Sequence, residues 1–304
     1  MSGVSGWYLY ELVKFFKEPL QRITDTTYGA LKIDVIILLL LRIRLNLSFR
    51  SMVPLLGYNS SKIHRIYKKA LYECGTLAAP EIRFPSHKIR MSRAKWIWNV
   101  DSYSHDNIPI TWIVDGWNQY IYQPIDNDLK NGCYSAEFDG NAIKKLVFTD
   151  PYGAPLFCSP SFNGRPHDLQ VAKFPELKSF FETLDNETKK TGEYGLGDNA
   201  FYGIKQNIIQ NFIYTPRLDS QQNYYVANYL GKVRHCVENI NASIESFKIL
   251  RDQFKKSPTS SMDALLKEHH HITLLVLFII RETQHQTPFN RLIKSPLMSD
   301  ILKT

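Results

Sequence analysis

The sequence has few cysteines and no arrangement of them that builds a metal or disulfide framework. Its 304 residues include only four, and no two form a Cys-x-x-Cys pair. Neither a zinc ribbon nor a disulfide-stapled secreted domain is indicated, and a reducing compartment is expected. The run His269-His270-His271 does not indicate a metal site either, because adjacent residues of a helix point in different directions. We expect this triplet to be at the surface or partly packed.

The sequence also lacks a hydrophobic run long enough to cross a bilayer. The two most apolar stretches, 35–41 and 272–280, fall short of the ~20 residues that a transmembrane helix needs. No basic segment followed by an apolar core opens the sequence, so no secretory signal is predicted. We expect an intracellular, soluble protein with no membrane partner, nuclear if eukaryotic and otherwise cytoplasmic.

Acidic residues are in the minority. The chain has 29 aspartates and glutamates against 37 lysines and arginines, which gives a formal net charge of +8. This balance favours a polyanionic partner without naming one. The hydrophobic share of 44% and the charged share of 22% are ordinary for a globular protein. The length suffices for two domains, or for one large domain with an appendage.

Three of the acidic residues stand where a two-metal phosphoryl-transfer site requires carboxylates. Asp115 ends the apolar run Trp-Ile-Val, Asp198 follows Gly-Leu-Gly, and Glu238 lies in a segment of helical period. A pair of divalent cations needs carboxylates from separate elements that converge on one point. Taken singly, each acid is more often a turn or solvated residue, since most Asp-Gly pairs are turns.

The motifs around these acids carry a resemblance that covers most of the chain. In order they are Val114-Asp115-Gly116, Tyr134, the segment 145–153, the segment 162–168 (Phe-Asn-Gly-Arg-Pro-His-Asp), Gly197-Asp198 and Val237-Glu238. Their order and spacing resemble those of Harbinger-type DDE transposases. That resemblance implies a ribonuclease-H-like α/β core, a mixed sheet flanked by helices, which cuts and joins DNA strands with Mg²⁺ or Mn²⁺.

The resemblance also implies roles for single residues. Asp115, Asp198 and Glu238 would be the catalytic acids and metal ligands, with Asp168 the rival second acid and a further candidate ligand. Asp198 lies 40 residues before Glu238 and Asp168 lies 70 before it, and the shorter gap suits the superfamily better. The implied partner is double-stranded DNA at transposon ends. An accessory DNA-binding protein and a homo-oligomer are left open.

The chain departs from that family at three points that affect substrate contact, one of them the segment Tyr134-Ser-Ala-Glu-Phe-Asp-Gly, where many members have a Lys- or His-rich stretch. Trp117 stands where threonine usually follows the first Asp-Gly, and the usual Leu-His-Asn near the C-terminus is absent. Because residues two apart on a strand share a face, we predict that Trp117 borders a substrate pocket. His167 of the Gly-x-x-His-Asp motif is predicted there as well. Two alternatives stay open: a transposase-derived, catalytically weak DNA-binding protein, and a hydrolase acting on RNA.

Residues 1–75 are predicted to be helical, with a helix-turn-helix over about 32–73. Gly57 marks a turn between two helices, and Asn59, Ser60 or Ser61 can cap the second. The second helix has an apolar stripe and, opposite it, four basic residues predicted to contact DNA: Lys62, Arg65, Lys68 and Lys69. A small bundle with a solvated basic face is the alternative.

Residues 76–98 are predicted to form a basic linker in which Arg90 and Arg93 follow the DNA backbone, with a solvated connector as the alternative. The catalytic domain would span 99–285, with hairpin strands near 142–150 and 154–160 and a helix over 169–184. A later helix would open near Arg234, which would contact a phosphate or pair with Glu238 four residues on. The tail, 286–304, has no readable role.

Overall fold

The computed structural model describes residues 6–26, 30–98, 107–136, 139–214, 224–254 and 261–286. The helices within these ranges are α1 Gly6–Phe15, α2 Lys17–Thr26, α3 Lys32–Leu45, α4 Phe49–Leu56, α5 Ser60–Ala78, α6 His87–Ser92, α7 Asn127–Cys133, α8 Asp168–Ala172, α9 Pro175–Thr191, α10 Ile204–Asn207, α11 Tyr224–Glu245, α12 Lys248–Arg251 and α13 Met262–Gln286. The strands are β1 Lys95–Trp98, β2 Asn107–Tyr120, β3 Tyr134–Ser135, β4 Gly140–Thr149, β5 Pro155–Cys158, β6 Phe162–Asn163, β7 Tyr194–Gly197 and β8 Phe212–Tyr214.

The strands form one mixed sheet with the order β3-β4-β2-β7-β8. Strands β1 and β4 pair antiparallel with β2, and β5 and β6 pair antiparallel with β4. Strand β7 is parallel to β2, and β8 is parallel to β7. A parallel pair needs a crossover connection, and α8 and α9 lie in the connection that leads to β7. The predicted α/β class, a mixed sheet flanked by helices, is confirmed.

The two faces of this sheet are covered by different helices, because side chains alternate along each strand. Trp112 and Val114 of β2 share a hydrophobic cluster with Phe181 of α9, on what we call the α9 face. Ile113 shares a cluster with Val237 of α11, on the α11 face. Farther along the α11 face, Trp117 of β2 stacks on His269 of α13, and Lys145 of β4 forms a hydrogen bond with His270 of the same helix.

Some of the local structure predicted from the sequence is confirmed, and some of it is wrong. The turn predicted at 150–153 does join β4 to β5, and the Asp150 carboxylate accepts hydrogen bonds from the amides of Tyr152 and Ala154. Pro175 divides the predicted helix 169–184 into α8 and α9, standing first in α9, where its missing N–H costs no helical bond. The prediction that Glu238 lies near a helix start was wrong. Helix α11 begins at Tyr224, so Glu238 is well inside it.

Helices α1 to α5 pack on one another and against α13. Leu20 of α2, Tyr67 of α5 and Phe278 of α13 belong to one hydrophobic cluster. The predicted cap of α5 is confirmed, since the Asn59 side chain accepts a hydrogen bond from the Lys62 amide at 2.8 Å. Helix α5 contacts α2, α3, α4 and α13, so it lies inside this assembly along much of its length. Whether α4 and α5 act as a DNA-binding helix-turn-helix stays a prediction.

The segment predicted as a linker is largely structured. Helix α5 continues to Ala78, helix α6 covers 87–92, and β1 adds a strand to the sheet beside the first residues of β2. The boundaries predicted at 75 and 98 therefore fall within α5 and at the end of a strand that belongs to the core sheet. Of the predicted tail, residues 287–304 lie outside the described residues.

Across the described ranges, none of the helices is both long enough and apolar enough to cross a membrane.

Candidate active site

Asp115 and Asp198 lie side by side on neighbouring parallel strands. Ile113 of β2 is in register with Leu196 of β7, and each acid follows two residues later on its own strand. Asp198 continues the extended conformation of β7. Because side chains alternate between the two faces along an extended chain, Asp198 lies on the α11 face together with Ile113, Asp115 and Leu196. Parallel strands lie about 4.8 Å apart, which sets the scale of the separation between the two backbones.

The electrostatics of this pair oppose full ionisation. Burial first, and then the charges of Asp198 and Asp168, raise the pKa of Asp115 to about 7 against the opposing effect of Arg234. Burial likewise raises the pKa of Asp198, against a hydrogen bond that its Oδ1 accepts from the Ala200 amide at 2.9 Å. Two adjacent, half-buried carboxylates with raised pKa values are typical of a functional site that binds a cation or a proton.

Glu238 stands on the side of α11 that approaches these acids but does not join them. Arg234, Glu238 and Asn241 share one side of the helix by their spacing, and Asn241 Nδ2 donates to Asp115 Oδ2 at 3.0 Å. The Glu238 carboxylate is instead paired with Arg234, and His235 Nδ1 lies 2.6 Å from its Oε2. The predicted i,i+4 pair between Arg234 and Glu238 is therefore present.

Asp168 approaches β2 from the opposite side of the sheet. A Cβ built on Gly116 would lie 2.2 Å from Asp168 Oδ2, so the carboxylate occupies the space that only glycine leaves free. Lys144 Nζ donates to Asp168 Oδ1 at 2.8 Å, and both side chains are buried. As predicted, Asp168 begins a helix, but the residue at its cap position is His167. Asp168 is thus ion-paired behind the strand that carries Asp115.

The pair of acids fits a hard divalent cation in its donor chemistry, since carboxylate oxygens are the ligands that Mg²⁺ and Mn²⁺ prefer. The described residues nevertheless contain no group of three or more His, Cys, Asp or Glu side chains that could hold a metal ion. Glu238, the third acid predicted to bind a metal ion, is engaged by Arg234 and His235.

The prediction that Trp117 borders a substrate pocket was wrong. Its side chain does lie on the same face as Asp115, but it is only 3% exposed and stacks on the His269 ring at 5.7 Å between centroids. His269 is itself fully buried, with its Nδ1 2.8 Å from Ser161 Oγ, while His270 and His271 are half-buried, so the triplet is partly packed, the second of the two alternatives expected for it. His167 is exposed at the start of α8.

Several basic residues predicted to contact DNA have partners inside the protein. Lys68 pairs with Glu268 of α13 at 2.5 Å, and Lys69 Nζ donates to Thr26 Oγ1 at 2.5 Å. Arg65 is exposed on α5, and Lys62 lies 4.2 Å from the centre of the Tyr58 ring.

The prediction for Arg90 was wrong, because its side chain is 2% exposed and its guanidinium is bound by Glu193 and Glu187. Its neighbour Arg93 is paired with Asp150 at 2.5 Å. The pair that buried Arg90 forms stabilises the fold, whereas the DNA contact of the partly exposed Arg93 stays a prediction.

Two residues of the site escaped the sequence analysis. Asn241 could have been found from its helical spacing, three residues after Glu238 and seven after Arg234. Lys144 had a weaker signal, one of two adjacent lysines inside a strand that also carries Ile143, Leu146 and Val147; a buried lysine needs a partner.

Comparison with protein-family models gave one match. Residues 114–277, which are 164 of the 304 residues, match the family described as DDE superfamily endonuclease. Neither curated proteins nor solved structures gave a significant match. The matched segment begins one residue before Asp115 and includes Asp168, Asp198 and Glu238.

Proposed function

The chain belongs to the DDE superfamily endonuclease family, and on that basis we propose that it is a transposase of Harbinger type that cuts and joins DNA strands. Membership indicates a transposase-like nuclease. The observation that carries the finer proposal is the in-register placement of Asp115 and Asp198 on one sheet face, beneath the helix that bears Glu238. Asp198, not Asp168, is the proposed second acid, because Asp168 lies on the other face and is paired with Lys144.

Endonucleases of this family typically use divalent metal ions, and we propose Mg²⁺ or Mn²⁺ here. Asp115 and Asp198 would hold the ions, with Glu238 as the third ligand once its carboxylate leaves Arg234 and His235. Such a pair of ions, when bound, lowers the pKa of the attacking water or hydroxyl and stabilises the charge on the leaving 3′-oxygen. Ionised Asp115 and Asp198 would also be favoured by that positive charge, which removes their mutual repulsion.

The remaining residues of the site have roles that follow from their contacts. Asn241 fixes the orientation of the Asp115 carboxylate through its hydrogen bond. Arg234, released from Glu238, would present a guanidinium to a DNA phosphate, which it can bind through two parallel hydrogen bonds. Behind the strand, the Lys144–Asp168 pair packs against Gly116 and holds β2 in place. Arg65 and Lys62 are the proposed DNA contacts on α5.

The test is cleavage of DNA carrying candidate terminal repeats in the presence of Mg²⁺ or Mn²⁺. Asp115→Asn, Asp198→Asn and Glu238→Gln should each abolish cleavage, because each loses an anionic ligand at nearly constant shape. Asp168→Asn is the matched comparison, expected to retain metal-dependent cleavage at reduced stability. Loss of cleavage in Asp168→Asn with activity kept in Asp198→Asn would overturn the choice of second acid.

One observation favours a second candidate, a DNA-binding protein without turnover. Glu238 is neutralised by Arg234 and His235 instead of converging with the other acids. Wild-type protein that binds the repeats but leaves them uncut with either metal would support this candidate. In that case Arg234→Gln, which frees Glu238 from its ion pair, should not restore cleavage.

A further inference from the structure

A cavity of about 150 Å³ lies between residues 83–93, the β4–β5 hairpin and α13. At ~30 Å³ per water molecule it has room for roughly five waters, which is enough for one small anion and too little for a nucleotide. Four arginines line it, together with one carboxylate, and they come from distant parts of the sequence: Arg83, Arg90, Arg93, Arg281 and Asp150. The cavity is therefore a concentration of guanidinium groups around a space that is partly open to solvent.

Two of the arginines that line the cavity, Arg90 and Arg93, are paired with carboxylates. Arg90 binds Glu193 with its Nε and Nη2 atoms, each at 2.8 Å, and Glu187 at 3.1 Å. Arg93 is paired with Asp150, whose other carboxylate oxygen is held by the hairpin amides. Because these groups are fixed, the cavity keeps its shape without a ligand.

The other two arginines have no carboxylate partner in the described part of the chain. Arg83 is exposed at the mouth of the cavity, and Arg281 donates to the backbone carbonyl of Glu81. Apolar side chains complete the lining, among them Ile89 and Leu156. Two uncompensated guanidiniums beside an apolar wall favour an anion with several acceptor oxygens, since hydrogen bonds to charged groups strengthen where water is scarce.

We propose that this cavity binds one phosphate group, either a phosphodiester of the DNA backbone or a free phosphate ion. Guanidinium forks match the oxygens of phosphate better than those of a spherical halide. The cavity is distinct from the acid pair: Thr111, which lines it, lies four residues before Asp115 on β2, or roughly 13 Å at the usual rise of a strand. A phosphate held here is therefore a different group from the one at the acids. The proposal does not depend on cleavage activity.

The first experiment measures phosphate binding by thermal unfolding of the full chain. Inorganic phosphate should raise the Tm in a saturable way above sodium chloride of equal ionic strength, because a ligand that binds only the folded state stabilises it. Arg83→Gln should remove this rise, whereas the matched control Arg50→Gln, an exposed arginine on α4, should keep it. Arg281→Gln should also remove it. If that variant fails to fold, Arg83→Gln alone carries the test.

The second experiment distinguishes the two sources of phosphate. If the DNA backbone supplies it, Arg83→Gln should lower the log–log salt slope of duplex binding by about one. An unchanged slope, with the phosphate effect still lost, assigns the cavity to the free ion. The proposal fails if phosphate stabilises the wild type no more than chloride does, or if Arg83→Gln and Arg50→Gln respond alike.

Discussion

The two faces of the sheet treat charge in opposite ways. On the α9 face, buried charges meet opposite charges: Lys144 binds Asp168, and at the edge of that cluster Arg90 binds Glu193 beneath the Phe84 ring. On the α11 face, two carboxylates lie in register beside each other. The pKa of Glu193 is held at about 2, while that of Asp115 is raised to about 7. Buried opposite charges are thus paired on one face, whereas two carboxylates of like charge are neighbours on the other.

The largest effect that sharpens this comparison is expected from Trp117→Thr. Because the indole is buried against His269, its removal leaves a cavity, and we expect a loss of about 3–4 kcal/mol in the free energy of unfolding. Denaturant unfolding measures it. Trp96→Thr is the control: Trp96 is 53% exposed on β1, so its replacement should change stability by less than ~1 kcal/mol. Equal effects would show that the α11 face is not packed around Trp117.

Glu193→Gln tests the paired charge. Burial alone would raise the pKa of Glu193, but hydrogen bonds from Arg90 and His87 outweigh it and hold the pKa at about 2. A carboxylate with a lowered pKa stabilises the fold above its ordinary pKa of ~4.3 and loses that effect as the pH falls towards 2. We expect the variant to lose on the order of 3 kcal/mol at pH 7, with the difference shrinking between about pH 4 and 2.

The control for that change is Glu182→Gln, on the exposed side of α9, where Lys178 is 3.9 Å away. Urea unfolding across this pH range should show almost no difference from the wild type there. A pH-independent loss in Glu193→Gln would mean that shape, not charge, is what Glu193 contributes.

Asp115→Asn should change the free energy of unfolding in the opposite direction. A group whose folded pKa is raised destabilises the fold progressively between its unfolded pKa of ~3.9 and its folded pKa of about 7, so removing its charge should stabilise the metal-free protein most fully above pH 7. Allowing for partial exposure, we expect a gain of roughly 2 kcal/mol at pH 8 in EDTA and a gain of about one third of that at pH 5. Asp168→Asn should instead be destabilising at both pH values, because it leaves Lys144 buried without its partner. A destabilised Asp115→Asn at pH 8 would contradict the comparison.

The smallest effect is expected at the contact between Gly116 of β2 and the Asp168 carboxylate. Gly116→Ala would force the Asp168 carboxylate away from β2, and we expect a loss of about 1–2 kcal/mol. In a double-mutant cycle with Asp168→Ala, the alanine at 116 should cost clearly less, because its Cβ then meets no carboxylate. Strict additivity of the two changes would show that the contact carries no energy.

Local patterns in the sequence predicted the strands that carry Asp115 and Asp198 and the hairpin at Asp150. Those signals are short apolar runs and turn residues, which act within a few positions of the chain. The surroundings of the site were not predictable in this way. Trp117 stacks on a residue 152 positions away, and Arg90 pairs with one 103 positions away, so the residues beside each of them carry no sign of the partner. The helix of Glu238 was placed too late because the stretch before it is rich in Asn, Gln and Tyr, which hid the helical spacing of Val226, Leu230 and Val233.

The in-register pair of strands has a mechanical consequence. Asp115 lies in β2 and Asp198 directly follows β7, each two residues beyond the paired Ile113 and Leu196, so the backbone hydrogen bonds of that ladder restrain the two acids relative to each other. Glu238 is under no such constraint, because α11 contacts the sheet through side chains. A rotation or axial shift of this one helix would therefore be the low-energy way to move the Glu238 carboxylate out of its pair with Arg234 and towards Asp115 and Asp198. The strands act as the stationary half of the site, and the helix is its adjustable half.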